Sequence, residues 1–105
     1  QLVNRQFLQA MKPSAFLINT ARGGLINEDD LAQSLKNREI AGAGLDVLIK
    51  EPPDSQNILL NSNLKNLLIT PHVAWASIES RQRLVDQLVV NINSYISGDL
   101  DNRLI

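Results

Sequence analysis

The sequence contains no cysteine, which excludes disulfides and thiolate metal sites. It has a single histidine, too few for a zinc enzyme that needs several nitrogen or sulfur ligands, so no metal is expected. No apolar run approaches the roughly 20 residues of a membrane span, so no membrane partner is expected either. Neither sign of charge dominates. Ten Lys and Arg face eleven Asp and Glu, for a formal net charge of −1. That leaves no basic footprint for nucleic acid. There is no initiator Met, secretory signal or basic presequence at Gln1, and no repeat or low-complexity segment. These absences fit a cytoplasmic protein. What is present is 44 % hydrophobic residues in a chain of 105, enough for a packed core in one small domain or part of a larger one.

Val3, Phe7, Leu8 and Met11 fall at helical spacing, and Lys12-Pro13 ends that helix. A helix so close to Gln1 leads us to expect that the N-terminal boundary cuts into a domain. "AFLIN" (15–19) reads as a short buried strand, broken by "TARGG". Asn27 then caps a helix with Glu28, Asp29 and Asp30 in its first turn, where the helix dipole favours acids. Ala41–Val47 is the second strand, "KEPPDSQN" a polar loop, and Leu67–Thr70 the third strand. From Ser77 a long helix runs to about Ser97, with Leu84, Leu88, Ile92 and Ile96 four apart and Gly98 placed to end it. The tail "DLDNRLI" has no periodicity. Strands alternating with helices predict an α/β fold: part of a doubly wound parallel sheet, covered on both faces and ending in a long helix.

In open α/β sheets, ligands bind outside the carboxyl ends of the strands. Arg22 follows the first predicted strand, Asp46 ends the second with Glu51 close behind, and His72 follows the third. A cation, two carboxylates and an imidazole therefore gather at one edge. Arg22 offers a planar fork for a carboxylate. Glu51 near His72 would favour the imidazolium, which can protonate a carbonyl oxygen as its carbon is reduced. The set suits reduction of a 2-keto acid. Taken singly, each residue also has an ordinary use: Arg22 as a solvated turn residue, Glu51 as an exposed loop charge, Asp46 as a turn former or cap, His72 as a capping residue, Trp75 as packing. "GAGLDV" lacks a third glycine and lies in a strand, so it is no dinucleotide fingerprint. Gly42 and Gly44 are read instead as allowing close backbone or helix approach.

"MKPSAFLINTARGGLINEDDLAQSLKNREIAGAGLDV", "EPP" and "TPHVAWAS" closely resemble the C-terminal half of the NAD-binding domain of D-isomer-specific 2-hydroxyacid dehydrogenases. The likeness spans nearly the whole chain and rests on three separated motifs in order. Within the family, "TPH", "AWAS" and "ESRQRLV" look most like glycerate dehydrogenases, also called hydroxypyruvate reductases.

The resemblance implies a Rossmann-type fold, NAD(H) or NADP(H) as cofactor, and a catalytic set of Arg22, Glu51 and His72. Arg22 would hold the substrate carboxylate and carbonyl, His72 would donate the proton, and Glu51 would pair with it. Thr20, Ala21 and Arg22 would lie along the nicotinamide, Asp46 at its carboxamide end, and the chain from His72 through Ala74 beside the cofactor. Formate dehydrogenases similar to this family usually carry Gln at the Glu51 position, so Glu51 favours alcohol–ketone chemistry. The family's G-x-G-x-x-G turn is absent from this sequence, and the likeness places it, with a substrate domain, upstream of Gln1. Residues 1–76 then form the C-terminal half of the cofactor domain. Residues 77–105 form a helix and tail that return toward the substrate domain. The expected protein is a homodimer reducing hydroxypyruvate or glyoxylate, with little activity in these 105 residues alone. The competing expectation is a corepressor-like module that senses the nucleotide without turnover.

Overall fold

The computed structural model describes residues 1–99. The chain divides into two compact units, Gln1–Val73 and Ala74–Ile105. Residues 100–105, most of the aperiodic tail, lie outside the described residues.

The first unit is a three-stranded parallel sheet with helices between the strands. Its order is α1 (Arg5–Gln9), β1 (Phe16–Asn19), one 3-10 turn (Gly23–Leu25), α2 (Glu28–Lys36), β2 (Gly42–Leu45), α3 (Ile58–Asn61) and β3 (Leu67–Ile69). The sheet order is β1-β2-β3, with Phe16 opposite Gly42 and Ala43 opposite Leu67. All three strands point the same way, so all three carboxyl ends share one edge.

Asn27 caps α2 as expected, accepting from the Asp30 N–H at 3.1 Å. The first helix is shorter than its apolar spacing predicts. Asn4 caps it by accepting from Phe7 N–H at 3.1 Å. Val3 lies outside the helix, in a parallel bridge with Ile26: its N–H donates to Leu25 at 2.9 Å and its carbonyl accepts from Asn27 at 2.8 Å. A β-branched residue ahead of an Asn cap is better used in extended backbone than in a helix. Helix α3, inside a stretch read as loop and connection, has one turn and no period to detect; Asn57 caps it.

All three short helices pack on one face. Leu8, Leu31, Leu35 and Ile40 are completely or almost completely buried there, joined by Ala43, Leu45, Leu48 and Leu59. Each such large side chain contributes about 1.5–3 kcal/mol when buried. On the other face of the first unit's sheet, Phe16, Ile18 and Leu68 are exposed, while α1, α2 and α3 all contribute to a single core. Phe16 and Ile18 instead lie over the glycines of β2. A Cβ on Gly42 would come 3.1 Å from the Phe16 ring and 2.9 Å from the Asn66 carbonyl, and one on Gly44 would come 3.1 Å from Ile18. Side chains, more than helices, use that space.

The second unit contains α4 (Ile78–Ser97). Ser77 caps its start, and Gly98 ends it in the left-handed conformation at φ 82°. Its apolar stripe, including Leu84, Val85, Leu88, Val89, Ile92 and Ile96, is exposed and not core. Among the described residues, no helix is long and apolar enough to cross a membrane.

Candidate active site

The parallel sheet delivers three loops to one edge. The loop after β1 carries Thr20, Ala21 and Arg22, all exposed. Arg22 is extended and opens the 3-10 turn, and its Nη1 donates to the Ala21 carbonyl at 2.7 Å. The loop after β2 carries Asp46 and Glu51. The loop after β3 carries His72, whose backbone is left-handed at φ 56°. A non-glycine residue held there is strained and needs surrounding contacts to keep it.

Those contacts come largely from Asp46, which is only 4 % exposed. Its Oδ1 accepts from the Thr70 hydroxyl at 2.5 Å and from the Val73 N–H at 2.9 Å. These bonds bracket His72, whose own N–H donates to the Thr70 carbonyl at 3.0 Å. A buried carboxylate at the end of β2 thus anchors the turn that presents the imidazole.

Glu51 uses both oxygens. Oε1 accepts from the Leu48 N–H at 2.9 Å, and Oε2 lies 2.7 Å from His72 Nδ1. The Leu48 bond, then the His72 bond, hold the Glu51 carboxyl below the ordinary carboxylate value. The loop bearing Glu51 is tied back in turn by Glu28 of α2, which accepts from Ile49 N–H and from Asn57 Nδ2, each at 2.8 Å.

Arg22, Glu51 and His72 line one cavity of about 210 Å³, with Gly23, Gly24 and the 47–49 backbone region completing its wall. It falls below the roughly 300–1,000 Å³ typical of drug-sized ligands, a size that suits a small organic acid. A larger cavity of about 440 Å³ shares Glu51 and His72, but Leu48, Pro52, Pro53, Leu60, Ile69 and Pro71 make it mostly apolar. No Lys or Arg lines it, so the smaller cavity, which Arg22 lines, is the better match for a carboxylate. Ala74 opens the second unit and is exposed.

One site residue escapes the sequence reading. Asn19, the last residue of β1, is 7 % exposed and bonds the loop that carries Arg22. The available signal was a polar amide ending an apolar strand, since buried polar groups require partners.

The family model for the D-isomer specific 2-hydroxyacid dehydrogenase NAD binding domain matches residues 1–74. The chain belongs to this family. Glycerate dehydrogenase from Methylorubrum extorquens is 52 % identical over 101 residues, covering 96 % of this chain and 32 % of that protein. Hydroxypyruvate reductase from Blautia hydrogenotrophica is 42 % identical over 97 residues, covering 92 % of this chain and 30 % of the relative. An acyclic imino acid reductase, solved with NADPH and D-Arg, superposes with a TM-score of 0.80 at 40 % identity, over 96 % of this chain and 31 % of that one. The chain thus spans about a third of the length of the curated relatives it matches. Its three parallel strands and long final helix belong to the Rossmann-type architecture of this family of dehydrogenases.

Proposed function

We propose that this chain acts within a full-length, NAD(P)H-dependent 2-hydroxyacid dehydrogenase that reduces hydroxypyruvate- or glyoxylate-type 2-keto acids to D-2-hydroxy acids. The observation that carries this reading is the 2.7 Å bond between Glu51 Oε2 and His72 Nδ1, in a cavity that Arg22 also lines. The relatives' names support the substrate class, and the family's description supports the cofactor.

In this reading Arg22 binds the keto acid's carboxylate with its guanidinium fork. When bound, a nicotinamide cofactor would supply hydride chemistry at the keto carbon. His72 would give its proton to the carbonyl oxygen, which becomes the hydroxyl. Glu51 engages Nδ1, so it orients the ring and proton delivery is assigned to Nε2. The residues present fit a flat ring. Thr20 and Ala21 are small and exposed beside Arg22, and a Cβ at Gly24 would meet nothing within 4 Å. They would border the nicotinamide, with Arg22 beside them, Asp46 serving its carboxamide end, and His72 and Ala74 bordering it from the third loop.

Residues 1–76 are assigned to the cofactor domain and residues 77–105 to the return toward a substrate domain. The exposed stripe of α4 supports a buried interface in the assembled enzyme, which we take to be a cytoplasmic homodimer. The test is NADH and NADPH oxidation with hydroxypyruvate and glyoxylate by the full-length protein and by its His72→Gln variant. Turnover lost in the variant is expected. Cofactor binding without turnover in the wild type would overturn the reading in favour of a nucleotide-sensing module.

A further inference from the structure

We propose that Asn19 is the positioning residue for Arg22 and so sets how tightly the site holds a keto acid's carboxylate; this rests on the function proposed above. Three bonds fix Asn19 and the turn after it. Its main-chain carbonyl accepts from the Asp46 N–H at 2.9 Å, which locks it beside the end of β2. Its Oδ1 accepts from the Ala21 N–H at 3.0 Å. Its Nδ2 donates to the Arg22 carbonyl at 3.0 Å.

The two side-chain bonds have opposite polarity and go to successive residues of one turn. Only a group with an acceptor and a donor side by side can make both, which is what a primary amide provides. Aspartate offers two acceptors and would set a carboxylate against the Arg22 carbonyl. The same pattern fixes the amide's orientation, because the reverse would face donor with donor.

On the other side of Arg22 the chain is equally restricted. A Cβ on Gly23 would come 2.0 Å from the Leu48 carbonyl carbon, so the turn is pressed onto the backbone beside the Glu51 loop. The Arg22 main chain is therefore held from both directions. The guanidinium rests on the Ala21 carbonyl, within the turn that Asn19 holds. Displacing such an anchor by about 1 Å can cost on the order of a hundredfold in rate.

The experiment uses the full-length protein and the four members of a cycle: wild type, Asn19→Asp, Arg22→Gln and the double variant. It reads the KM for hydroxypyruvate and the Kd for oxalate by calorimetry. Asn19→Asp is expected to raise the keto-acid KM and the oxalate Kd at least tenfold. In the Arg22→Gln background the same change should cost less than threefold, because a residue acting through Arg22 has nothing left to position. An equal loss in both backgrounds would overturn the proposal and leave Asn19 a purely structural residue. If Asn19→Asp does not fold, Asn19→Ser is measured in the same cycle with the same expectation. A wild type that binds oxalate without turnover refutes the reductase reading while the Kd cycle still decides the role of Asn19. A wild type that neither turns over nor binds oxalate refutes both.

Discussion

Gly23 lies directly against the main chain of Leu48: a methyl group at Gly23 would sit 2.0 Å from the Leu48 carbonyl carbon and 2.4 Å from the Ile49 nitrogen. Backbone atoms cannot swing aside as a flexible side chain can. Gly23→Ala is therefore expected to destabilise the chain by roughly 1–3 kcal/mol, as overpacking does, or to push the Arg22 and Glu51 loops apart. Gly24→Ala, one residue on, meets open space and should be neutral or slightly stabilising, by up to about 1 kcal/mol. Thermal melts of the two variants in parallel check the contrast; equal effects would contradict it.

His72→Asn should separate backbone from chemistry. Asparagine tolerates the left-handed conformation that His72 adopts at φ 56°, so the turn held by Asp46 should survive. The proton donor is gone. The expectation is a melting temperature within a few degrees of wild type and a turnover reduced by about two orders of magnitude or more in the full-length enzyme. A variant that stays active would remove His72 from the proposed mechanism.

Acid should reveal the Glu51 interactions. Its carboxyl is held below the ordinary value of 4.5 by the Leu48 N–H and by His72. A lowered folded-state value means that the ionised form stabilises the fold. That contribution is complete above the unfolded value and is lost as pH falls through the folded one. Wild type should therefore exceed Glu51→Gln in stability at pH 6, and the gap should close only as pH drops below 4.5. Denaturant melts from pH 6 down to pH 3 measure it. A gap that does not change with pH would show that the charge on Glu51 is not what stabilises the loop.

Glu28 is expected to act at a distance along the chain. It ties Ile49 and Asn57 to α2, on either side of the residues around Glu51. Glu28→Ala should cost about 1.5–3 kcal/mol, the range for a hydrogen bond to a charged group. It should also speed amide exchange at Ile49 more than at Leu31, which lies in the buried core. Uniform acceleration across both would indicate global unfolding and not release of one loop.

Much of this arrangement is legible from residue types. The apolar runs around Phe16–Asn19, Gly42–Leu45 and Leu67–Ile69 mark strands, and Asn27, Ser77 and Gly98 mark helix ends because caps need specific side chains. Parallel order then carries Arg22, Asp46 and His72 to a common edge. What stays hidden is set by contacts distant in sequence. Val3 bridges to Ile26 because of where the chain returns, and no local pattern encodes that. The single core of the first unit depends on all three short helices choosing the same face. Asn19 looks like an ordinary strand terminus until its two bonds to the following turn are seen. The interface expected on α4 is legible only as a stripe, and what buries it lies beyond any periodicity.

The register of the sheet also sets how the first unit must fold. Phe16 meets Gly42, and Ala43 meets Leu67, so each pairing closes a loop of about 25 residues and no hairpin can start the sheet. Such non-local pairings slow folding relative to a helical bundle of equal size. The cavity holding Arg22, Glu51 and His72 depends on all three strand ends at once, so it exists only when both non-local pairings are made.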